Sequence, residues 1–290
     1  MRLLISGAHG QLGLALTRRL RDAHEVAALA RDAFDLVDAK TCRAVLERTR
    51  PDVLLNCAAH TAVDRAESEP ALAQAINADG PFHLAKSCRE LGIFLVHFST
   101  DYVFDGRATQ PYVETDATAP TSVYGRTKLD GEAHIAAVSP AHLILRLSWV
   151  YGNDGANFYK TMLRLAQDRP LLRVVADQLG VPNYTTDLAD AVAHALNRPL
   201  AELRSLSGLY HLSSLGLSSW RDFAYAIVEG AGLADRVTVE PILTSEYPTA
   251  ATRPAYSVLN ASRFAATFNW TAPAWQDGLR RCLADRKMAA

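Results

Sequence analysis

Short apolar runs alternate with amphipathic stretches through the first half of the chain. Leu3-Leu4-Ile5 predicts a buried strand. Leu12, Ala15, Leu16 and Leu20 then recur at helical spacing within residues 11–23. Residues 26–29 predict a second strand. Asp38 offers a cap for a helix that runs to Arg48, with Pro51 beyond its end. Val53-Leu54-Leu55-Asn56-Cys57 predicts a third strand. A helical stretch over about 70–91 stops on Gly92, a residue suited to the left-handed turn that closes helices. Residues 93–98 form a near-continuous apolar run, the pattern of a strand covered by helices on both faces. After a loop containing Pro111 and Pro120, the pattern predicts a helix over about 121–137 and a strand over 143–147. This order predicts an α/β fold with a Rossmann-like, doubly wound parallel sheet, a dinucleotide-binding domain over residues 1–150. Beyond Gly152 the alternation fades and seven prolines cut the pattern into shorter pieces. Residues 151–290 read as a smaller C-terminal substrate-binding domain, with about 186–212 returning to the main sheet.

Composition narrows the function classes. The 290 residues include 30 basic and 31 acidic side chains, so the net charge of −1 lacks the electrostatic footprint of a nucleic-acid binder. It leaves room for a local basic pocket that takes a phosphate. No apolar run reaches membrane-spanning length. The uncharged stretch after Arg2 is broken by His9, Gln11 and several glycines, which argues against a signal peptide. The four cysteines, Cys42, Cys57, Cys88 and Cys282, form no C-x-x-C pair. Structural zinc and a disulfide framework are therefore not expected, and the cytoplasm is the expected location.

Candidate chemistry begins at Gly7-Ala8-His9-Gly10-Gln11-Leu12-Gly13, between the first strand and the first helix. Gly7 permits a tight turn, Gly10 lets a pyrophosphate approach the backbone, and Gly13 lets the helix press on the strand. The helix N-terminus then offers free N–H groups to phosphates. The plainer alternative is a glycine-rich turn selected for packing. The second strand ends Leu29-Ala30-Arg31-Asp32. Arg31 suits the 2′-phosphate of NADP(H) by a charge-assisted bond, and Ala30 offers no acceptor for a ribose hydroxyl. Alternatively Asp32 takes that hydroxyl and the cofactor is NAD(H). Tyr124 and Lys128 stand four apart, on one face of a helix. An ammonium beside a phenol lowers its pKa towards the working range of a proton donor. The alternative is an exposed surface pair, but the chain has only five lysines, which makes a chance match rarer. The preceding strand ends Phe98-Ser99-Thr100-Asp101-Tyr102, where a hydroxyl can bond a substrate carbonyl or simply end the strand in a turn.

Taken together, the glycine turn, Ser99-Thr100 and Tyr124-Gly125-Arg126-Thr127-Lys128 resemble the extended short-chain dehydrogenase/reductases. Further matches are Asn56 to Asp64, Ala66-Glu67-Ser68-Glu69-Pro70, Ile76-Asn77-Ala78, Ser148-Trp149-Val150-Tyr151, Asp177-Gln178 and Arg253-Pro254. They narrow the resemblance to the dTDP-4-dehydrorhamnose reductase family. That resemblance implies hydride transfer from NADPH, with NADH as the alternative, to C4 of dTDP-4-dehydro-6-deoxy-L-mannose, giving dTDP-L-rhamnose. It implies Thr100, Tyr124 and Lys128 as catalytic residues, Tyr124 being the proton donor. It implies a cofactor site of Gly7, His9, Gly10, Gln11, Leu12, Gly13, Arg31, Asp35, Leu36, Ala58, Ala59, Thr61, Asn77 and Ser99, together with Tyr124 and Lys128. On the nucleotide-sugar side it implies Thr100, Asp101, Tyr102, Trp149, Asn157, Gln178 and Arg253.

Two departures refine it. Related dehydratases carry an acid after the Thr-Asp pair, whereas this chain has Tyr102. Some family members hold Mg²⁺ between subunits through carboxylates, but the matching positions here are Ala15 and Thr186. No metal is therefore expected, and the chain is expected to be a monomer or weak homodimer whose partner is a nucleotide sugar, with neither nucleic acid nor membrane. An epimerase or dehydratase of the same fold, or a non-catalytic NADP-binding regulatory subunit, are the competing readings.

Overall fold

The computed structural model describes residues 1–289. Six parallel strands form the main sheet: β1 (Arg2–Ser6), β2 (Glu25–Leu29), β3 (Val53–Asn56), β4 (Phe94–Thr100), β5 (His142–Leu147) and β6 (Gly208–His211). Their order is β6-β5-β4-β3-β1-β2. The winding reverses at β1, with β2 on one side and β3 on the other. A crevice therefore opens above the carboxyl ends of β1 and β3, the place where such sheets bind ligands.

Alternate side chains of each strand reach opposite layers, which explains why the strands read as unbroken apolar runs. Leu3, Ile5, Leu55 and Val96 pack with Leu12 and Leu16 of α1 (Gln11–Leu20). Leu4, Leu54, Leu95 and Ile144 face the other way. There they meet α2 (Ala39–Thr49), α3 (Gly80–Leu91) and α4 (Val123–Val138) through Leu46, Leu84 and Ile135. Asp38 caps α2 by accepting the Thr41 N–H, and Gly92 closes α3 in the left-handed conformation. The stretch expected as one helix over 70–91 is interrupted. A short helix, Pro70–Gln74, passes through a π-helical turn, Ala75–Asp79, before α3 begins.

The second half divides between two cores. α5 (Thr185–Leu196) packs on α1, and β6 pairs with β5, so both lie on the main sheet. The helix Ser262–Phe268 also belongs there, because Phe264 and Phe268 are buried in the main core. A second core gathers the helices Phe158–Asp168, Trp220–Gly230 and Trp275–Ala289 around the parallel pair Leu171–Val175 and Thr238–Ile242. Met162, Leu172, Phe223, Ile227 and Leu279 fill it. Among the described residues, no helix is long and apolar enough to cross a membrane, and no cluster of three His, Cys, Asp or Glu side chains could hold a metal.

Candidate active site

The glycine turn is shaped by close backbone approach. Gly7 has φ +64°, and a Cβ there would lie 2.7 Å from the Ala58 nitrogen. A Cβ on Gly13 would lie 2.3 Å from the Gly7 carbonyl oxygen. Any side chain at either position would push α1 away from the end of β1. α1 has no side-chain cap and no acid in its first turn, so its leading N–H groups remain available to an anion. From this turn a cavity of ≈ 840 Å³ extends along the crevice. It passes Arg31, Asp35 and Leu36 on one side and Ala58, Ala59 and Thr61 below. Thr100, Tyr124 and Lys128 line it, as do Trp149, Asn157 and Trp220.

Local structure explains why Thr100, Tyr124 and Lys128 converge. Ser122 caps α4 by accepting the Gly125 N–H at 3.1 Å. A Cβ on Gly125 would sit 2.2 Å from the Tyr102 carbonyl oxygen, so glycine lets the first turn of α4 seat against the end of β4. Tyr124 consequently meets Tyr102 edge-on, with ring centres 5.5 Å apart. The Thr100 hydroxyl donates to Asp101 Oδ1 at 3.0 Å and accepts the Tyr102 N–H at 3.2 Å.

Burial dominates the electrostatics. It pushes the Tyr124 phenol up to about 12; Thr100 offsets part of the rise and the Asp101 charge adds to it. Burial pushes Lys128 down to about 8, opposed by Glu132 and Cys57. Burial therefore keeps the phenol above the working range expected from a neighbouring lysine. Lys128 Nζ donates to the Phe98 carbonyl oxygen at 2.6 Å and lies 3.2 Å from His97 Nε2. Its charge is engaged by β4, and Tyr124 stays a protonated acid at neutral pH.

Asp101 is fully shielded, and burial raises its carboxyl to about 6 against bonds from Ser257 and Thr100. Among the described residues its Oδ2 has no hydrogen-bond partner. A carboxyl whose folded pKa is raised destabilises the fold above that pKa, and the penalty fades as pH falls towards the unfolded value. Asp101→Asn should therefore gain about 1–3 kcal/mol over the parent at pH 8 and nothing at pH 4. Urea unfolding at both pH values reads this, and an equal gain at each would contradict the burial argument.

The whole chain was compared with known proteins. A family model described as the RmlD substrate binding domain matches residues 1–288. The chain belongs to this family. Among its relatives, a dTDP-4-dehydrorhamnose reductase of Sinorhizobium fredii is 44% identical over 97% of this chain and 96% of its own. The enzyme of the same name from Salmonella typhimurium is 43% identical over 98% of each chain. The crystal structure of the Bacillus anthracis dTDP-4-dehydrorhamnose reductase in complex with NADP shares 36% identity, with a TM-score of 0.93 over 98% of this chain and 99% of that one. A UDP-glucose 4-epimerase from Thermus thermophilus, at 23% identity and a TM-score of 0.83 over the full length of both chains, shares the fold.

Within this RmlD-family chain, most of the expected site residues border the one cavity, including His9, Gln11, Leu12, Ser99, Asp101 and Tyr102. Three do not. Asn77 lies beneath the cavity in the π-helical turn, where its amide accepts the His60 N–H at 2.8 Å and donates to the His60 carbonyl at 3.1 Å. It holds the loop that follows Ala58-Ala59 and does not reach the cavity. Gln178 turns away and donates to Thr244 Oγ1 at 3.1 Å. Arg253 bonds Asp64 at 2.7 Å, and its guanidinium lies 5.9 Å from the Tyr102 ring centre. It stands behind Tyr102, off the cavity wall, in this conformation. Asn157 borders the cavity but also caps the Phe158–Asp168 helix through the Lys160 N–H and donates to Gln11 at 2.8 Å.

The sequence reading missed Trp220, Phe158 and Phe223, which also line the cavity. Trp220 stacks on Trp149 with ring centres 3.6 Å apart. It named Asn56 only within the third strand and as the start of a matched segment, and gave His97 no role; the trace of His97 in the sequence was a polar residue interrupting an apolar strand.

Proposed function

We propose that this chain is an NADPH-dependent dTDP-4-dehydrorhamnose reductase, converting dTDP-4-dehydro-6-deoxy-L-mannose to dTDP-L-rhamnose. The observation that carries the mechanism is the convergence of Thr100, Tyr124 and Lys128 on a cavity that begins at an uncapped helix N-terminus. The cofactor fits the donor set on two counts. The backbone contacts at Gly7 and Gly13 leave no room for side chains, and the α1 N–H groups suit a pyrophosphate. When bound, NADPH supplies the hydride that reduces C4. Thr100 Oγ1 donates to the carbonyl oxygen and polarises it. Tyr124 gives its phenol proton to the same oxygen as charge develops there, which completes the hydroxyl. Lys128 holds the ribose of the cofactor. The thymine and sugar of the substrate would lie against Trp149 and its neighbours, and Arg253 would turn from Asp64 to the diphosphate, where its forked donors match phosphate oxygens.

Two observations favour reduction over the competing readings. At the position where related dehydratases carry an acid stands Tyr102, whose burial pushes its phenol far up. A group that stays protonated cannot serve as the base of an elimination. A regulatory subunit has no need of a phenol on the cavity wall together with a buried lysine, and this chain keeps both. The protein acts in the cytoplasm as a monomer or weak homodimer without a metal.

Steady-state oxidation of NADPH with the 4-keto sugar tests the reading; consumption of one NADPH per sugar supports it. Arg31 tests the cofactor choice. Its side chain is largely exposed and pairs with Asp35 at 3.2 Å, so it is free to turn to a 2′-phosphate. Arg31→Ala should raise Kd for NADPH about 10-fold, the loss of one charge-assisted contact, and leave NADH within twofold. Equal weakening of both would remove Arg31 from the 2′-phosphate.

A further inference from the structure

Three buried polar side chains sit side by side across the neighbouring strands β1, β3 and β4. Ser6 of β1 pairs in register with Asn56 of β3, and Asn56 pairs with His97 of β4. All three are shielded from solvent to 1% or less. Polar groups in such a place cost about 1–3 kcal/mol each when unbonded, so packing alone does not account for a row of them. The row is continuous. Ser6 Oγ lies 2.7 Å from the Asn56 side chain, which lies 3.0 Å from His97 Nδ1. His97 Nε2 lies 3.2 Å from Lys128 Nζ. It starts one residue before the glycine turn and ends on the ammonium beside Tyr124.

We infer that His97 is a positioning residue for Lys128: its Nε2 lone pair and the Phe98 carbonyl take two of the three ammonium protons and leave the third for the cavity. The inference rests on the reading of Lys128 as the group that holds the cofactor ribose. An ammonium only donates, so Nε2 accepts and the imidazole proton sits on Nδ1. Asn56 is placed with its Oδ1 accepting from Ser6 Oγ and its Nδ2 facing His97 Nδ1, so the amide must turn over to offer its oxygen to Nδ1 and its NH₂ to Ser6 Oγ. Hydrogen-bond chemistry sets that orientation, since the amide's two ends have the same shape. Ser6 and Asn56 thus fix the tautomer that Lys128 requires.

The surroundings keep the row in one state. Burial and the Lys128 charge hold His97 well below the usual histidine range, so it stays neutral. His142 of β5 acts on it in the same direction. The other titratable groups near Lys128 are Glu132 on α4, Cys57 after β3 and Tyr124. Burial raises both Cys57 and Tyr124, so neither ionises near neutral pH. Glu132 and the His97 lone pair remain as the side chains that favour the charged lysine. Removing the lone pair favours the amine, so the ammonium is lost at lower pH. The alkaline limb of kcat/KM should move down in consequence.

His97→Gln and His97→Asn separate positioning from filling. Glutamine carries its amide oxygen out to about the place of Nε2, whereas asparagine stops near Nδ1 and keeps only the Asn56 contact. The full chain is assayed with NADPH and the 4-keto sugar from pH 6 to 10, and Kd for NADPH is measured by nucleotide fluorescence without sugar. The asparagine variant should shift the alkaline limb down by about one pH unit, lower kcat at pH 8 roughly 10-fold, and raise Kd for NADPH about fivefold there. The glutamine variant should stay within about twofold of the parent on all three. Two variants that lose thermal stability equally but keep the parent pH profile and NADPH affinity would overturn the inference. So would two that lose activity to the same degree. If the parent chain itself ignores the sugar, the reductase reading fails, and NADPH binding alone still tests the positioning.

Discussion

Tyr124→Phe should lower kcat about 10³-fold and leave Kd for NADPH within twofold, as expected for loss of a positioned proton donor. The argument is geometric before it is electrostatic. The ring is anchored by the start of α4, by the Ser122 cap and by edge contact with Tyr102, none of which involves its hydroxyl. Phenylalanine therefore keeps the shape of the cavity and removes one proton. The phenol is pushed up to about 12, so the parent enzyme holds that proton across the neutral range. Tyr124 should accordingly set no alkaline limit near neutrality, and the alkaline fall in activity should begin with the discharge of Lys128, near 8. Turnover by the phenylalanine variant within a factor of ten of the parent would move the proton donor elsewhere, with Asp101 the next group to examine.

The second large effect is on stability. Glu132→Gln should cost about 3–5 kcal/mol, the penalty for leaving one member of a buried ion pair alone. Glu132 accepts from Arg146 Nε at 2.9 Å and from Arg146 Nη2 at 2.7 Å, and Ser99 Oγ also donates to it. Both charged side chains are 5% exposed or less. Glutamine turns one acceptor into a donor facing a guanidinium that has no water to fall back on. The Phe104 ring, 5.0 Å beneath the guanidinium, offsets little of this. Urea unfolding should show a lower midpoint with unchanged slope, and a loss below 1 kcal/mol would mean that water reaches the pair. The same substitution removes a charge that supports Lys128, so the two predictions meet at α4.

How legible these features were depends on how local their causes are. The glycine turn and the Tyr124–Lys128 spacing are set within a few residues, and both lie where the sequence pattern placed them. β4 was visible as an apolar run because helices cover both its faces. The partners of Lys128 were not visible, because Phe98 and His97 lie 30 and 31 residues away and meet it only when α4 folds back over β4. Asn77 carried the right motif, yet its place beneath the cavity depends on a π-helical turn that no helical periodicity reveals. Trp220 and Phe223 come from a helix in the second core, and their arrival at the cavity is a tertiary event. Arg253 was chosen for its chemistry, while its present partner, Asp64, is 189 residues distant.

The most direct test follows the hydride. The protein is incubated with dTDP-4-dehydro-6-deoxy-L-mannose and NADPH carrying deuterium at both C4 positions of the nicotinamide, and the product is examined by mass spectrometry and NMR. The account predicts dTDP-L-rhamnose carrying one deuterium, bonded to C4 of the sugar. Deuterium at another carbon, or consumption of the sugar with none incorporated, would contradict it.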